Sequence, residues 1–222
     1  LHFQFIITKT TSSVWPQALK KQEGSSMNKV TISADDVLIR AQDTPNPNAI
    51  KFIVNYSLKD VGNATFTSPE QAASLPLVKS IFDLPGVEQV YLFQNTLTVT
   101  HTDELPSDII KDQITAILKT RLAVHRADFM SPEESTMKPK VDRSTLSPEI
   151  QQIEDILDRT IRPGLQSDGG DVEIVEFQDN QLKIVYQGAC GGCPSSMMGT
   201  LDAIQSILRN EMQNEQITVM PV

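Results

Sequence analysis

The chain has 222 residues, of which 39% are hydrophobic and 21% are charged, so it can build packed cores and is not a wholly disordered protein. Its length fits one large or two small domains, at roughly 100–200 residues per domain. It carries 19 Lys and Arg against 28 Asp and Glu, a formal net charge of −9, which argues against a nucleic-acid partner. No apolar run approaches the roughly 18–20 residues that span a bilayer, so no membrane partner is expected.

Residues 1–26 are predicted to be a leader outside the folded protein. Up to Gln22 they contain three lysines and no acid, loosely the composition of an organelle transit peptide, but such peptides are rich in arginine and this stretch has none. The codons of residues 20–26 can contain a purine-rich bacterial ribosome-binding sequence just before Met27. We therefore expect upstream sequence translated by accident in front of a bacterial cytoplasmic protein, or a protein of the mitochondrial matrix if the segment is a real transit peptide.

Residues 37–130 are predicted to form a first domain. Ile50, Phe52 and Val54 alternate with more polar neighbours, which is the period of a strand. Further along the chain, the patterns predict a helix start, a helix end, a hairpin turn and a second helix start, in this order: Ser68-Pro69-Glu70, Leu84-Pro85-Gly86, Gln94-Asn95 and Pro106.

Residues 131–146 are polar, contain two prolines and show no apolar period, which predicts a linker; a long surface loop inside one domain is the alternative. Residues 147–222 are predicted to form a second domain with four basic and twelve acidic residues. Its pattern predicts a helix from Ser147 to about Arg162, strands at 172–177 and 182–186, a helix from Pro194 and a last strand at 217–220. The predicted fold is α+β: two small domains, each a helix–β-hairpin–helix type α/β sandwich, joined by a polar linker.

The chemistry is expected at the only two cysteines, Cys190 and Cys193. Two cysteines cannot build a disulfide framework, nor can they supply four thiolates within one chain. The intervening Gly191 and Gly192 can take positive φ, so the backbone can wrap closely around a ligand. Pro194 suits the first position of a helix, which makes Cys193 the cap residue and favours its thiolate through the helix dipole. Thiolates are the ligands of soft metals and iron–sulfur clusters.

Four interpretations of this motif stay open from the residues alone. The cysteines are incidental or structural; or they form a dithiol of the thioredoxin kind, although that fold needs a βαβ pattern and here a hairpin precedes the motif. A zinc site would need two more ligands, and the only histidines are His2, His101 and His125, all distant in sequence. Finally, two chains related by a two-fold axis would each bring Cys190 and Cys193, the four thiolates of a [4Fe–4S] cluster.

Two separated motifs carry a resemblance to a known family. Residues 162–172 read Arg-Pro-Gly-Leu-Gln-Ser-Asp-Gly-Gly-Asp-Val and residues 188–196 read Gly-Ala-Cys-Gly-Gly-Cys-Pro-Ser-Ser. With the hairpin between them, they closely resemble the C-terminal domain of NifU-like (Nfu-type) iron–sulfur cluster proteins over about residues 148–222. Residues 38–130 resemble the separate Nfu N-terminal domain, through Thr-Pro-Asn-Pro-Asn at 44–48, Lys51-Phe52, and Leu-Pro-Gly-Val at 84–87 before a hairpin.

The resemblance implies that Cys190 and Cys193 are cluster ligands and that a [4Fe–4S] cluster bridges two subunits, with a [2Fe–2S] cluster as the second choice. It implies a carrier or scaffold, not an enzyme: an upstream scaffold supplies the cluster, apo iron–sulfur proteins receive it, and cluster binding makes a homodimer. The alternative function is a CxxC dithiol oxidoreductase of thioredoxin-like activity. One position departs from the family, because Gly199-Thr200 stands where Thr-Leu is usual, which leaves the local packing or the helix start in question.

The remaining polar residues are given structural roles. Asp168 and Asp171 are interpreted as turn carboxylates that accept from nearby backbone N–H groups and not as metal ligands. Arg162 is interpreted as the ion-pair partner of an acid. His101 and His125 are predicted to lie on the surface, and the 44–48 run is interpreted as a tight structural connection.

Overall fold

The computed structural model describes residues 33–131, 146–192 and 194–222, and it describes no side chains for residues 191–198. The predicted leader and nearly all of the predicted linker lie outside the described residues. Two sheets each carry a hydrophobic core of their own. We call residues 33–131 the first domain and residues 146–222 the second domain; both belong to one compact unit.

The first domain is built on an antiparallel sheet of five strands in the spatial order β1-β2-β5-β4-β3. The strands are β1 (Ile39–Asp43), β2 (Ala49–Val54), β3 (Lys59–Phe66), β4 (Val87–Gln94) and β5 (Thr96–His101). The predicted alternation in β2 is confirmed, because Ile50, Phe52 and Val54 are buried in the core. The predicted hairpin turn is confirmed as well, with Gln94, the last residue of β4, at a φ of 50° and Asn95 between the two strands.

Two helices cover one face of this sheet, α1 (Pro76–Phe82) and α2 (Ser107–Arg121). Each turns an apolar stripe inward, at the spacing of three and four residues that a helix face requires. The buried helix residues are Leu77, Val78, Ile81, Ile110, Ile114 and Leu118. Full burial of such a side chain is worth about 1.5–3 kcal/mol, so these contacts hold the layer on the sheet.

The predicted helix start at Ser68-Pro69-Glu70 is wrong. Turns occupy that stretch and α1 begins only at Pro76. A helix running through Pro76 would lose a backbone hydrogen bond and meet the proline ring, so Pro76 can start a helix but not continue one. The residues of 70–74 are exposed apart from Ala72, so the apolar period does not begin until Leu75.

Strand β3 was not predicted from the sequence. Its residues include Asp60, Gly62 and Asn63, types that strands normally avoid. The strand lies at the edge of the sheet and its register with β4 shifts between Lys59 and Asn63. The ladder with β4 supports this strand, and its own pattern of side chains therefore gives little signal.

The second domain packs helices against a sheet of three strands in the order β6-β7-β8, with β8 parallel to β7. The elements are α3 (Pro148–Thr160), α4 (Arg162–Ser167), β6 (Gly170–Gln178), β7 (Gln181–Gly188), α5 (Pro194–Glu211) and β8 (Thr218–Pro221). The predicted cap of α3 is confirmed, since Ser147 Oγ accepts from the Ile150 N–H at 3.3 Å. Asp179 and Asn180, at φ of 51° and 62°, make the hairpin turn that two residues of this type favour.

The prediction that the chain stops being helical at Arg162-Pro163-Gly164 is only half right. α3 does end at Thr160, but α4 begins at Arg162. Pro163 lies in the first turn of α4, where a missing N–H costs nothing. The chain therefore passes from one helix directly into a second before it enters β6.

The predicted fold class is confirmed, because each domain places a β-hairpin between helices: α1, β4-β5 and α2 in the first, and α3-α4, β6-β7 and α5 in the second. The domains touch through the hairpins, since β4 and β5 contact β7. In the described ranges, none of the helices has both the length and the apolar character needed to cross a membrane.

Candidate functional site

Cys190 lies in a short turn that joins the hairpin of the second domain to its longest helix. β7 ends at Gly188, a single 3₁₀ turn spans Ala189–Gly192, and α5 begins at Pro194. The prediction that a strand delivers Cys190 to a turn before a helix is confirmed. Cys193 lies outside the described residues, so its roles as helix cap and ligand stay predictions.

Glycines shape the main chain around Cys190. Gly188 has a φ of +62°, and a Cβ added to it would overlap the Gly169 carbonyl oxygen and lie 2.9 Å from Tyr91 Cδ1. Gly170 faces Gly188 across the ladder, and a Cβ on Gly170 would lie 2.5 Å from Cys190 Sγ. The thiol therefore packs against a bare backbone, and side chains at these positions would push the Cys190 turn away from β6.

The Cys190 thiol is half-buried against the second core. Burial raises its pKa to about 12, and the carboxylates of Asp168 and Asp171 act in the same direction. The thiol is therefore neutral near pH 7, and binding of a metal must release its proton, because the thiolate is the ligand.

Arg162 ties together the elements behind the Cys190 turn. Its side chain is 12% exposed. The guanidinium donates to Glu154 at 2.6 Å and to Asp158 of α3, and to the Val172 carbonyl at 3.2 and 3.3 Å. It also lies 3.6 Å from Asp171 Oδ1. The predicted structural role of Arg162 is confirmed.

Asp171 also has a structural role. One carboxylate oxygen accepts from the Val172 N–H at 2.8 Å and the other accepts from Gln166 Nε2 at 3.2 Å. These bonds fix the start of β6, as predicted for a turn carboxylate. Asp168 lines a small cavity beside Cys190, so both carboxylates stand near the thiol. Within the ranges that the structure describes, no group of three or more His, Cys, Asp and Glu side chains is placed to hold a metal ion.

The first domain reaches this turn, which the sequence did not predict. Asn46, 3% exposed, donates from Nδ2 to the Ala189 carbonyl at 3.1 Å. Lys51 donates from Nζ to the Ser167 carbonyl at the end of α4. One signal was present: a lysine between the buried Ile50 and Phe52 points away from the first core, so its charge has to be met on the other face of the sheet.

The 44–48 run is the tight connection that was predicted, and its turn presents Asn46. Thr44 Oγ1 donates to the Asn46 carbonyl at 2.8 Å, and the Asn48 N–H donates to Asn46 Oδ1 at 3.0 Å. An asparagine that holds its own turn in this way leaves its Nδ2 group free to bond elsewhere.

The prediction that the histidines lie on the surface is wrong. His101 is 2% exposed at the end of β5, where its Nδ1 bonds the Thr102 carbonyl at 2.8 Å. His125 is half-buried and its Nε2 bonds the Leu58 carbonyl at 2.7 Å. Each ring is held by a backbone carbonyl that the sequence pattern does not reveal.

Gly199, the position that departs from the family pattern, has open space around it. It lies exposed in α5, and a Cβ there would meet nothing within 4 Å. The departure therefore leaves the packing of the helix intact and costs only helix propensity.

Comparison with known proteins gives matches to both halves of the chain. A family model described as "NifU-like domain" matches residues 153–220, and one described as "Scaffold protein Nfu/NifU N terminal" matches residues 39–125. The chain is 32% identical over 174 residues to "NFU1 iron-sulfur cluster scaffold homolog, mitochondrial" of Homo sapiens, and the match covers 78% of this chain and 67% of the human protein.

It is also 32% identical over 174 residues to "NifU-like protein 5, mitochondrial" of Arabidopsis thaliana, covering 78% of this chain and 63% of that protein. The chain thus spans less than two thirds of the plant relative's length. A solution NMR structure of a NifU-like protein from Saccharomyces cerevisiae is similar to 52% of this chain and 99% of its own, with 24% identity and a TM-score of 0.40.

Proposed function

Because this chain belongs to the Nfu family of iron–sulfur cluster scaffold proteins, we propose that it binds an iron–sulfur cluster as cargo and passes it to apo-proteins. The observation that carries the proposal is the place of Cys190 within the matched range: it lies on a glycine-lined turn between a strand and a helix. The cluster is a substrate to be held and surrendered, so the chain acts as a carrier and not as an enzyme.

The ligand set of the proposal is shared between two chains. Each chain brings Cys190 and Cys193, and two chains related by a two-fold axis supply the four thiolates that a [4Fe–4S] cluster takes. A [2Fe–2S] cluster is the second choice. The unit that carries cargo is therefore a homodimer joined by the cluster.

Loading of the cluster requires loss of a proton at Cys190. Burial and two carboxylates hold the pKa of this thiol at about 12, so iron must displace the proton as the Fe–S bond forms. In transfer, each thiolate of the recipient forms one bond to iron while a carrier thiolate leaves and takes up the proton that the recipient thiol gave. No electron is exchanged, and each chain of the dimer has two such bonds to give up.

The raised pKa speaks against the dithiol oxidoreductase. Attacking thiols of that class have a lowered pKa, and that of Cys190 is shifted in the opposite direction. The element that precedes the motif is the β6-β7 hairpin and not a βαβ unit. A thioredoxin-like activity therefore stays the weaker alternative.

The expected partners are an upstream cluster scaffold that loads the chain and apo iron–sulfur proteins that receive the cargo. The first domain is the part expected to recognise them. The names of the human and plant relatives include the word mitochondrial, which favours a mitochondrial site of action over the bacterial cytoplasm for this chain.

Anaerobic reconstitution with iron and sulfide tests the proposal. We expect about four irons and four sulfides per two chains, loss of that cluster in Cys190→Ser and in Cys193→Ser, and transfer to an apo [4Fe–4S] enzyme. Gly199→Ser is the matched control, since it adds a hydroxymethyl group to the same segment at an exposed position and leaves both cysteines in place.

The control should bind iron as the wild type does. A chain that binds one zinc and no iron, or that reduces the disulfides of insulin without iron, contradicts the proposal. So does a Cys190→Ser variant that keeps its full cluster.

A further inference from the structure

The first domain stands close against the Cys190 turn. Cys190 lines a cavity of about 50 Å³, and Pro45 and Asn46 of the first domain form part of its wall together with Leu165 and Tyr186 of the second. A cavity of this size holds only a few water molecules. The Cys190 turn therefore has little free space on the side that faces the first domain.

Hydrogen bonds fix the turn in this covered position. The Ala189 carbonyl, one residue before Cys190, accepts from Asn46 Nδ2 at 3.1 Å, and the Ala189 N–H donates to the Gly169 carbonyl at 3.1 Å. The turn is thereby held between the first domain and the start of β6. Lys51 makes a separate hydrogen bond to the Ser167 carbonyl, two residues before Gly169 in the chain.

The contact between the domains includes polar atoms that are buried without a hydrogen-bond partner among the described residues. Thr98 Oγ1 lies 2.7 Å from where a Cβ of Gly169 would be, and Gln187 lies on β7, which contacts β4 and β5. Both Thr98 Oγ1 and Gln187 Oε1 are buried with no hydrogen-bond partner among the described residues. When the two domains separate, water can hydrogen-bond to both atoms, and these bonds offset part of the free energy that separation costs. Separation of an apolar core brings no such gain.

We propose that the first domain is a removable cover of the Cys190 turn, latched by Asn46 and Lys51, and that the cover has to open before a cluster can reach the thiol. The role of the cover in cluster loading rests on the proposed function, whereas the contacts that form the cover do not. Closure of the cover and binding of the cluster compete for the same turn, so weakening the latch favours loading.

The first test measures access to Cys190 in the protein without cargo. In a Cys193→Ser background Cys190 is the only thiol, and its alkylation by iodoacetamide is followed by mass spectrometry. Asn46→Ala should speed alkylation about tenfold, because a buried hydrogen bond that holds the turn is lost. Asn48→Ala removes the same amide from an exposed position in the same loop and should change the rate by less than about twofold.

Lys51→Met keeps the apolar stem of the lysine and removes the donor to Ser167. Lys51→Met should also speed alkylation of Cys190. If circular dichroism shows that Asn46→Ala does not fold, the alkylation rate of Lys51→Met alone tests the cover. Folded variants of both latch residues that react at the wild-type rate overturn the cover.

The second test follows the rate of iron uptake during anaerobic reconstitution, with both cysteines present. Asn46→Ala should load about tenfold faster than the wild type. Slower loading would show that Asn46 positions the turn for its cargo, and it overturns the cover. Wild-type protein that takes up no iron refutes the proposed function instead, and the alkylation rates then still decide whether the cover exists.

Discussion

The β4-β5 and β6-β7 hairpins are each closed, at the end opposite the turn, by an equivalent backbone hydrogen bond. In the first domain the Thr102 N–H donates to the Gly86 carbonyl at 2.8 Å, and in the second the Ala189 N–H donates to the Gly169 carbonyl at 3.1 Å. Both carbonyls belong to glycines at positive φ, +79° and +85°. The residue after the donor is Asp103 in the first domain and Cys190 in the second.

Both domains therefore use the same kind of hairpin, and the residues that follow its second strand determine which chemistry the domain can carry out. The second hairpin has a further glycine of positive φ, Gly188, where the first has His101. That glycine lets the chain turn tightly and bring Cys190 against Gly170. The first domain has the hairpin without the cysteine, and Lys51 and Thr98 of its sheet instead lie against Ser167 and Gly169, just before β6.

The largest expected effect comes from breaking the ion pairs behind the Cys190 turn. Arg162→Met should destabilise the second domain by about 3–5 kcal/mol, because it removes the cation beside the buried carboxylate of Asp171 and the half-buried carboxylate of Glu154. Hydrogen exchange resolved by peptides should show faster exchange in residues 146–222 and a smaller change in residues 33–131. An equal increase of the exchange rate in both domains would contradict a role of Arg162 that is confined to the second domain.

A matched pair of glycine substitutions tests the difference between the two open ends. Gly188→Ala should cost about 2–4 kcal/mol, since alanine at positive φ is strained and its Cβ would overlap backbone that cannot move away. Gly86→Ala should cost less, because its Cβ would meet mainly side-chain atoms of Thr102 and Glu104. Urea unfolding of the protein without cargo measures both, and a costlier Gly86→Ala refutes the distinction.

A change of pH should separate the two domains. Burial lowers the pKa of His125 below its usual value of 6.5, so the unfolded chain binds the proton more readily than the folded one. The first domain should therefore be most stable above about pH 6.5 and lose stability as the pH falls through the lowered pKa.

His125→Gln, which keeps a donor for the Leu58 carbonyl, should flatten this dependence in a series of urea unfolding curves. The second domain contains no histidine and serves as the internal reference. If the stability of His125→Gln depends on pH as that of the wild type does, a group other than His125 causes the pH dependence.

The smallest expected effect is a gain. Gly199→Ala should stabilise the second domain by about 1 kcal/mol, because glycine inside a helix costs about that much relative to alanine and the added Cβ meets open space. A rise in the urea midpoint with an unchanged slope is the measurement. A loss of stability would mean that the helix start near Gly199 needs the freedom of glycine.

Short-range patterns predicted much of this fold. The caps, hairpin turns and helix stripes at Ser147, Gln94 and Asn180 depend on neighbours within a few residues, and the cysteine spacing is local as well. β3 escaped prediction because an edge strand with Gly62 and Asn63 depends on its partner strand, and α1 was placed too early because Pro76 outweighed the cap signal at Ser68.

The covering of the site depends on distant residues and was not predictable. Asn46 and Ala189 are 143 positions apart, and Lys51 and Ser167 are 116 positions apart. No period or motif reports such a contact. The raised pKa of Cys190 has the same origin, since burial and two carboxylates set it after the chain has folded.

Native mass spectrometry of the anaerobically reconstituted protein tests the central claim most directly. If Cys190 and Cys193 of two chains hold one cluster between them, the mass of one [4Fe–4S] core should appear on the species of two chains and be missing from single chains. Removal of the cluster by a chelator should return the protein to single chains. A cluster carried by one chain alone, or two chains that stay together without any cluster, would contradict a dimer joined by its cargo.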